Sequence, residues 1–226
     1  MLIPGLLASA RLYAEQIPVL WRSGAVTVAD HTRDDSMPAI ARRILAGAPQ
    51  RFALVGLSMG GYIAFEMLRQ APERVAKLAL LDTAAQPDTP EQSAARRAQM
   101  ALASSGRFEE VVEAQFMRAV HATRRADAGL RAVNRLMAAD VGSGAFLRQQ
   151  TAIMGRIDSR PMLSSIRAPT LVLVGEGDEL TPPERAAEMA QGIAAARLVT
   201  VPHCGHLSTL ERPREVTTAL LAWLQA

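Results

Sequence analysis

The chain has 226 residues, of which 49% are hydrophobic, and a formal net charge of +3. This length fits one large domain or two small ones, and the hydrophobic fraction suffices for a sizeable core. The positive charge is almost entirely arginine and is scattered, with no basic stretch interleaved with aromatic residues, so we expect no nucleic-acid partner.

The single cysteine, Cys204, excludes an intrachain disulfide. It lies between His203 and His206, but no second group of ligands lies nearby, so we expect no metal at this cluster.

The segment Leu2–Ala10 lacks a basic region and is interrupted by Pro4, which argues against a signal peptide. Because no stretch has the apolar length of a membrane span, we expect a cytoplasmic protein without membrane contact.

The first quarter of the chain predicts short elements that alternate between strand and helix. Met1–Ile3 and the β-branched run Ala25–Ala29 are predicted strands. Ala10–Val19 is a predicted helix that ends at Pro18, and Pro38–Ala46 is the next predicted helix.

The stretch RFALVGLSMGG carries the strongest signal in the chain. Phe52–Val55 is an apolar run typical of a strand buried in a parallel sheet, and Tyr62–Arg69 is compatible with a helix. Between them lies G-x-S-x-G, the pattern of a nucleophile held on a sharp strand-to-helix turn. Gly56 and Gly60 leave space for the strand and the helix to approach closely. We interpret Ser58 as a nucleophile; the alternative is a glycine-rich connection with an incidental serine.

A predicted strand over Val75–Leu81 follows, and the repeated order of strand and helix predicts a parallel sheet flanked by helices. Residues 84–166 interrupt this order, because they contain four predicted helices and no convincing strand. We interpret them as a helical cap over a core formed by residues 1–83 and 167–226; the alternative is a helical subdomain for assembly. The cap helices are predicted at Gln92–Leu102, Phe108–Val120, Ala128–Ala139 and Phe146–Ile153.

After the cap the alternation of strand and helix resumes. Thr170–Val174 is a predicted strand, followed by a loop that contains Asp178. Thr181–Glu184 has the pattern of a capping box before a helix that ends near Ala190. Arg197–Val201 is the last predicted strand. The apolar stripe of the final predicted helix is Val216, Leu220, Leu221 and Leu224.

A serine hydroxyl needs a base, because it is too weak an acid to attack a carbonyl unaided at neutral pH. His203 and His206 both follow the last predicted strand, where a loop can reach the serine across the strand ends. We choose His206 as the base and keep His203 as the alternative, since His31 and His121 have no supporting pattern.

The base in turn needs a buried carboxylate that fixes its tautomer and stabilises the imidazolium. Asp178 follows a predicted strand, but Asp82 and Asp30 also end strands and remain rivals. The chain order Ser58, Asp178, His206 is the order of serine, acid and histidine that accompanies the G-x-S-x-G turn, which favours Asp178.

An oxyanion needs two backbone N–H donors directed at one point. We expect one donor from Met59, directly after the serine, and one from Leu6, in the loop after the first strand. Gly5 is expected to let the backbone turn inward there, and Leu7 to line the acyl pocket together with Leu6. The alternative is that residues 4–7 form an ordinary turn.

These segments resemble the α/β-hydrolase family along nearly the whole chain. The matching motifs are IPGLL, GLSMGGY, LLDTAA, APTLVLVGEGDELTPPE and HCGHLSTLERP. By this resemblance the nucleophile, acid and base are Ser58, Asp178 and His206, and the oxyanion donors are Leu6 and Met59. Serine at the nucleophile position argues against the haloalkane dehalogenase and epoxide hydrolase subgroups, which use aspartate there. Family members usually have one or two strands before the oxyanion strand, and this sequence begins almost on it, so we expect a smaller sheet of about six strands.

The resemblance implies two-step acyl transfer through an acyl-enzyme, with no cofactor and no metal. A cap rich in Met and Ala favours a small or medium apolar acyl group, so the expected partner is a small-molecule ester or lactone, and the expected assembly is a monomer or homodimer. One alternative is a C–C hydrolase or lyase similar to the menaquinone-pathway lyases, in which Arg118, Arg124 and Arg125 would hold carboxylates. Another is a ligand receptor that keeps the triad but turns over slowly.

Overall fold

The computed structural model describes residues 1–225, and its strands form one sheet in which all neighbours are parallel. The order of the strands in the sheet follows their order in the sequence. The strands are β1 (Leu2–Ile3), β2 (Phe52–Leu57), β3 (Val75–Leu81), β4 (Thr170–Gly175) and β5 (Ala196–Val201). The predicted class, a parallel sheet flanked by helices, is confirmed.

The sheet has five strands rather than about six. The predicted strand Ala25–Ala29 is reduced to a single parallel bridge between Leu2 and Val28. Two backbone hydrogen bonds support this bridge, from the Leu2 N–H to the Thr27 carbonyl at 2.8 Å and from the Ala29 N–H to the Leu2 carbonyl at 2.9 Å. Because β1 spans only two residues, a neighbouring segment can form only one or two backbone hydrogen bonds with it.

Helices cover both faces of the sheet. They are α1 (Ile17–Leu20), α2 (Met37–Gly47), α3 (Met59–Gln70), α4 (Pro90–Ser104), α5 (Phe108–Ala119), α6 (Ala128–Met154), α7 (Pro183–Gly192), α8 (Ser208–Glu211) and α9 (Pro213–Gln225). Leu54 and Val172 belong to a buried cluster with residues of α2, α3 and α7, whereas Val55 and Leu171 belong to a second cluster with residues of α9. Because successive strand residues point to opposite faces, each cluster covers one side of the sheet.

The predicted helix Ala10–Val19 is not continuous. A 3-10 turn covers Ala10–Tyr13, and α1 begins at Ile17 with Pro18 in its first turn. Pro18 therefore begins a short helix instead of ending a long one, because the N–H that proline lacks is one that the first helical turn leaves unpaired.

Residues 84–166, called here the cap segment, form α4, α5 and α6 between β3 and β4. A capping box of Thr89 and Gln92 begins α4. The third and fourth predicted cap helices are joined as α6, in which Gly142 has non-helical dihedral angles (φ 76, ψ 160). The sequence therefore places the break correctly, although the helix resumes at once.

The final helix, α9, buries Val216, Leu220 and Trp223 against the sheet. Among residues 1–225, no helix combines the length and the apolar character that crossing a bilayer requires.

Candidate active site

Ser58 lies on a sharp turn between β2 and α3. Its backbone has φ 55 and ψ −116, a conformation that costs a residue other than glycine about 1–3 kcal/mol. Its carbonyl accepts hydrogen bonds from the Gly61 N–H at 2.9 Å and from Thr83 Oγ1 at 2.8 Å. These two contacts hold the strained turn in place.

The turn needs glycine on both sides of the serine, because the strand, the helix and β1 approach closely. A Cβ atom on Gly56 would collide with the backbone of Gly60, and a Cβ atom on Gly60 would collide with the carbonyl of Ile3. The prediction that these glycines permit close approach is confirmed.

Asp178 is buried in the loop after β4, with 3% of its surface exposed. Its Oδ1 accepts the N–H groups of Leu180 at 2.8 Å and Thr181 at 3.0 Å, and its Oδ2 accepts Thr181 Oγ1 at 2.7 Å. Burial alone raises the pKa of Asp178, but the imidazole of His206 and the hydrogen bonds outweigh burial and hold the pKa below its ordinary value. The carboxylate is therefore ionised at neutral pH.

His206 lies in the loop between β5 and α8 and is 5% exposed. Its Nδ1 donates a hydrogen bond of 2.7 Å to Asp178 Oδ2, which leaves Nε2 as the nitrogen that can exchange a proton with another group. Burial alone lowers the pKa of His206, but the negative charge of Asp178 and the hydrogen bond outweigh burial and raise it above its ordinary value.

Ser58 and His206 line the same cavity, which has a volume of about 320 Å³. The two side chains share its wall, but no hydrogen bond joins them among residues 1–225. Leu6 and Leu7 line the cavity as well, as expected of them. The cavity therefore brings together a serine, a histidine backed by a buried carboxylate, and the loop that follows β1.

The loop after β1 is held from two sides. Nε2 of the buried His31 donates to the Gly5 carbonyl at 2.9 Å, and Oε1 of the buried Gln149 accepts the Leu7 N–H at 3.2 Å. The left-handed residue of this loop is Leu7 (φ 58). Gly5 gives space for the loop to approach the serine, because a Cβ atom there would lie 3.2 Å from the Cβ of Ser58.

The two predicted oxyanion donors are available. The N–H groups of Leu6 and Met59 donate to no acceptor within residues 1–225. Leu6 lies in the loop after β1 and lines the cavity, and Met59 directly follows Ser58. Met59 is the first residue of α3, where helical N–H groups have no partner within the helix.

Neither of the rival carboxylates from the sequence, Asp82 and Asp30, forms a hydrogen bond with His206. Asp82 is buried at the end of β3, where it accepts the Gly175 N–H at 2.9 Å and the hydroxyl of Ser208. Burial and the negative charge of Asp178 raise the pKa of Asp82 well above its ordinary value. Asp30 bonds its neighbours Thr32 and Arg33 at the surface.

His203 is exposed and does not line the cavity, so the structure offers it no path to the serine. Cys204 is buried beside it, whereas His206 is turned towards Asp178. No group of three or more His, Cys, Asp or Glu side chains suited to a metal ion occurs in the part of the chain that the structure describes.

The comparisons with known proteins identify the family of the chain. A model of the alpha/beta hydrolase fold family matches residues 22–213, which is more than half of the chain. The chain belongs to the α/β-hydrolase family. Family membership supports hydrolase activity.

Three similar proteins illustrate the family. A Mycobacterium tuberculosis protein provisionally named non-heme bromoperoxidase BpoC is 31% identical over 179 residues, which cover 77% of this chain and 67% of that protein. The pimeloyl-[acyl-carrier protein] methyl ester esterase of Nitrosomonas europaea is 29% identical over 196 residues, covering 80% of this chain and 74% of that protein. A thermophilic esterase from Thermogutta terrifontis, solved with malate bound, has a TM-score of 0.88 and 29% identity, covering 99% of this chain and 88% of that chain.

In this α/β-hydrolase the cap segment is bound to the histidine loop. The carbonyl of Ala119 accepts the N–H of His206 at 2.7 Å. Glu211, which is 3% exposed, accepts the Gly205 N–H at 3.1 Å and the His121 N–H at 2.9 Å. One carboxylate therefore joins the cap segment to the loop that carries the imidazole.

The cap side of the cavity differs from what the composition predicts. None of the cap methionines lines the cavity: Met100, Met117, Met137 and Met154. Of the three arginines that the lyase alternative would use, Arg124 pairs with Asp127 and Arg125 with Glu179, and only Arg118 lines the cavity. The composition of the cap segment is therefore a poor guide to its cavity surface, because these methionines do not line the cavity and several polar side chains do.

Several residues of the site were not found from the sequence. The pattern predicts Thr181 as the start of a capping box, but its hydroxyl binds Asp178 and α7 begins after Pro182 without a side-chain cap. Glu211 belongs to the HCGHLSTLERP motif and could have been found there as a second acid near His206. Gln149 carries no local signal, because its partner lies in another part of the chain.

Proposed function

We propose that the protein is a serine hydrolase that cleaves carboxylic esters, including lactones, through an acyl-enzyme. The observation that carries the proposal is the shared cavity, in which Ser58 on its strained turn lies with His206, whose Nδ1 binds the buried carboxylate of Asp178. A nucleophile, a base and an orienting acid are the groups that acyl transfer requires. Two of the three similar proteins described above are named esterases, which supports the same reaction here.

In the proposed mechanism Ser58 Oγ attacks the ester carbonyl carbon while His206 Nε2 takes the hydroxyl proton. The N–H groups of Leu6 and Met59 stabilise the oxyanion, and the proton passes from His206 to the departing alcohol. Water then attacks the acyl-enzyme with His206 as base, the acid is released and the proton returns to Ser58. Asp178 remains ionised and stabilises the imidazolium in both steps.

The lyase alternative is less well supported, because Arg124 and Arg125 are engaged in ion pairs and do not line the cavity. Hydrolysis of p-nitrophenyl acetate and butyrate tests the proposal. A burst of p-nitrophenol followed by steady turnover supports an ester hydrolase, whereas a burst without turnover supports a receptor. Full activity in Ser58→Ala would contradict the mechanism.

A further inference from the structure

The cavity changes character between the sheet and the cap segment. Near the serine it is lined by apolar side chains such as Leu6, Leu7 and Leu57. The cap segment contributes mainly polar side chains: Gln92, Arg96, Gln99, Gln115, Arg118 and Asn134. A substrate that extends from the serine to the cap therefore passes from an apolar surface to a polar one that carries two guanidinium groups.

The guanidinium of Arg96 is already engaged within the protein. Its Nε donates to Asp88 Oδ2 at 2.6 Å, and its Nη1 donates to Gln150 Oε1 at 2.8 Å. Asp88 also binds Arg156 at 2.7 Å. This network fixes Arg96 in place and leaves it little capacity for a ligand.

Arg118 has no such partner. It lies in the last turn of α5, and its guanidinium makes no hydrogen bond or ion pair with any residue in 1–225. The next residue, Ala119, is the one whose carbonyl binds the backbone of His206, so the backbone of Arg118 lies beside the loop that carries the imidazole, while its exposed side chain lines the cavity. A guanidinium that borders a cavity without a partner is suited to bind a carboxylate through two parallel hydrogen bonds.

We propose that the cavity selects esters that carry a carboxylate, which pairs with Arg118 while the ester carbonyl lies at Ser58. This inference rests on the proposed ester hydrolysis and names the substrate class of the same site. One acidic side chain, Glu91 in the first turn of α4, also lines the cavity. Its negative charge weakens the attraction of the cap segment for anions, and Arg118 offers one guanidinium, so we expect the site to take a single carboxylate.

Two p-nitrophenyl esters of equal chain length test the inference. The mono-p-nitrophenyl ester of adipic acid ends in a carboxylate, whereas p-nitrophenyl hexanoate ends in a methyl group. In Arg118→Gln we expect kcat/KM for the adipate ester to fall about tenfold, mainly through KM, since a charge-assisted pair supplies binding of this size. In the same variant, kcat/KM for p-nitrophenyl hexanoate is expected to stay within about twofold of the parent value. Arg118→Lys keeps the positive charge, so its kcat/KM for the adipate ester is expected to fall less than that of Arg118→Gln. Arg97→Gln is the matched control, because Arg97 is an exposed arginine of the same segment that does not line the cavity.

A second pair of substrates shows which side of the ester carries the carboxylate. The para-carboxyphenyl and para-carbamoylphenyl esters of hexanoic acid place the charge on the leaving group. A loss in Arg118→Gln confined to the carboxylate member of either pair supports the inference and assigns the carboxylate to the acyl or the alcohol side. Glu91→Gln is expected to raise kcat/KM for that same member.

An equal effect of Arg118→Gln on the charged and neutral members of both pairs, or no effect on any, would overturn the inference. These outcomes are distinct from a failure of the proposed function. Ser58→Ala tests that function, because its loss of activity must extend to all four esters whether or not Arg118 discriminates among them.

Discussion

The backbone N–H of His206 donates a hydrogen bond of 2.7 Å to the carbonyl of Ala119, the last residue of α5. The loop that carries the imidazole is therefore bound directly to the cap segment. Glu211 reinforces this junction through its two hydrogen bonds to Gly205 and His121. A change at the end of α5 is thus expected to move the imidazole, although the two are far apart in the sequence.

Glu211→Gln tests this junction. A glutamine offers one carbonyl oxygen in place of two, so one of the two N–H groups loses its acceptor at a cost of about 1–3 kcal/mol. We expect Tm to fall by about 2–4 °C for each kcal/mol of lost unfolding free energy. We also expect a lower kcat at temperatures where the variant is fully folded. Glu15→Gln is the control, because Glu15 is exposed and its side chain makes neither of the two hydrogen bonds of the junction. A parental Tm and kcat in Glu211→Gln would show that the junction contributes nothing.

Gln149→Met tests the support of the oxyanion loop. Methionine fills a similar volume but cannot accept the Leu7 N–H, so the loop that carries Leu6 is expected to loosen. Because this loop is proposed to stabilise the transition state rather than the substrate, kcat should fall about tenfold with KM nearly unchanged. Steady-state kinetics on p-nitrophenyl butyrate measure both parameters.

Gln150→Met provides the matched control. Gln150 is equally buried and lies on the same helix, but it binds Arg96 and Gln99 instead of the oxyanion loop. We expect it to lower Tm with a smaller effect on kcat than Gln149→Met. Equal losses of kcat in the two variants would mean that the hydrogen bond to Leu7 has no special part in catalysis.

The pH profile reports on the pair of Asp178 and His206. His206 must be neutral to accept a proton, so activity is lost as the pH falls through its pKa. Because the pKa of His206 is raised, this loss begins at a higher pH than it would for an ordinary histidine. We therefore expect the acidic midpoint of kcat/KM to lie above 6.5, the ordinary pKa of histidine. In Asp178→Asn the attraction of the carboxylate is lost while burial remains, so the midpoint should fall and kcat should drop by roughly 10³–10⁴. A midpoint that Asp178→Asn leaves unchanged would contradict this assignment of the acid.

Asp82→Asn tests which of the two buried carboxylates near the imidazole, Asp82 or Asp178, is the acid of the site. Burial and the negative charge of Asp178 raise the pKa of Asp82 and so favour its neutral form, and an asparagine can keep hydrogen bonds to both Gly175 and Ser208. We expect the variant to retain activity within about tenfold of the parent, measured on the same ester as Asp178→Asn. A greater loss than in Asp178→Asn would make Asp82 the acid of the site.

The strained turn at Ser58 predicts a difference between two inactive variants. Glycine adopts the conformation of this residue without steric cost, whereas alanine retains the strain. Ser58→Gly should therefore be more stable than Ser58→Ala by about 1 kcal/mol, which corresponds to about 2–4 °C in Tm. Thermal unfolding followed by circular dichroism measures the difference, and equal Tm values would show that the turn stores no strain.

The sequence predicts well those features that short segments determine. Ser58, Asp178 and His206 each lie in a motif next to an apolar strand, and the structure places two of them around one cavity with the third behind the imidazole. The same local reasoning fails for residues 25–29, where β-branched residues indicate a strand but the two-residue β1 leaves almost nothing to pair with.

The supports of the site could not be predicted, because they join distant parts of the chain. Gln149 and Leu7 are 142 residues apart, and Glu211 and His121 are 90 residues apart. The prediction that Thr181 begins a capping box is wrong for a related reason. A threonine before proline is typical of a helix cap, but the hydroxyl of Thr181 donates to the buried carboxylate of Asp178.

Labelling with a fluorophosphonate tests the central claim most directly. Such a reagent forms a stable bond with an activated serine and not with an ordinary one. Mass spectrometry of the digested protein is expected to show one phosphonyl group on Ser58, in step with the loss of esterase activity, and none in Ser58→Ala or after labelling at a pH well below the pKa of His206. A modified residue other than Ser58, or full inactivation without an adduct there, would contradict the account.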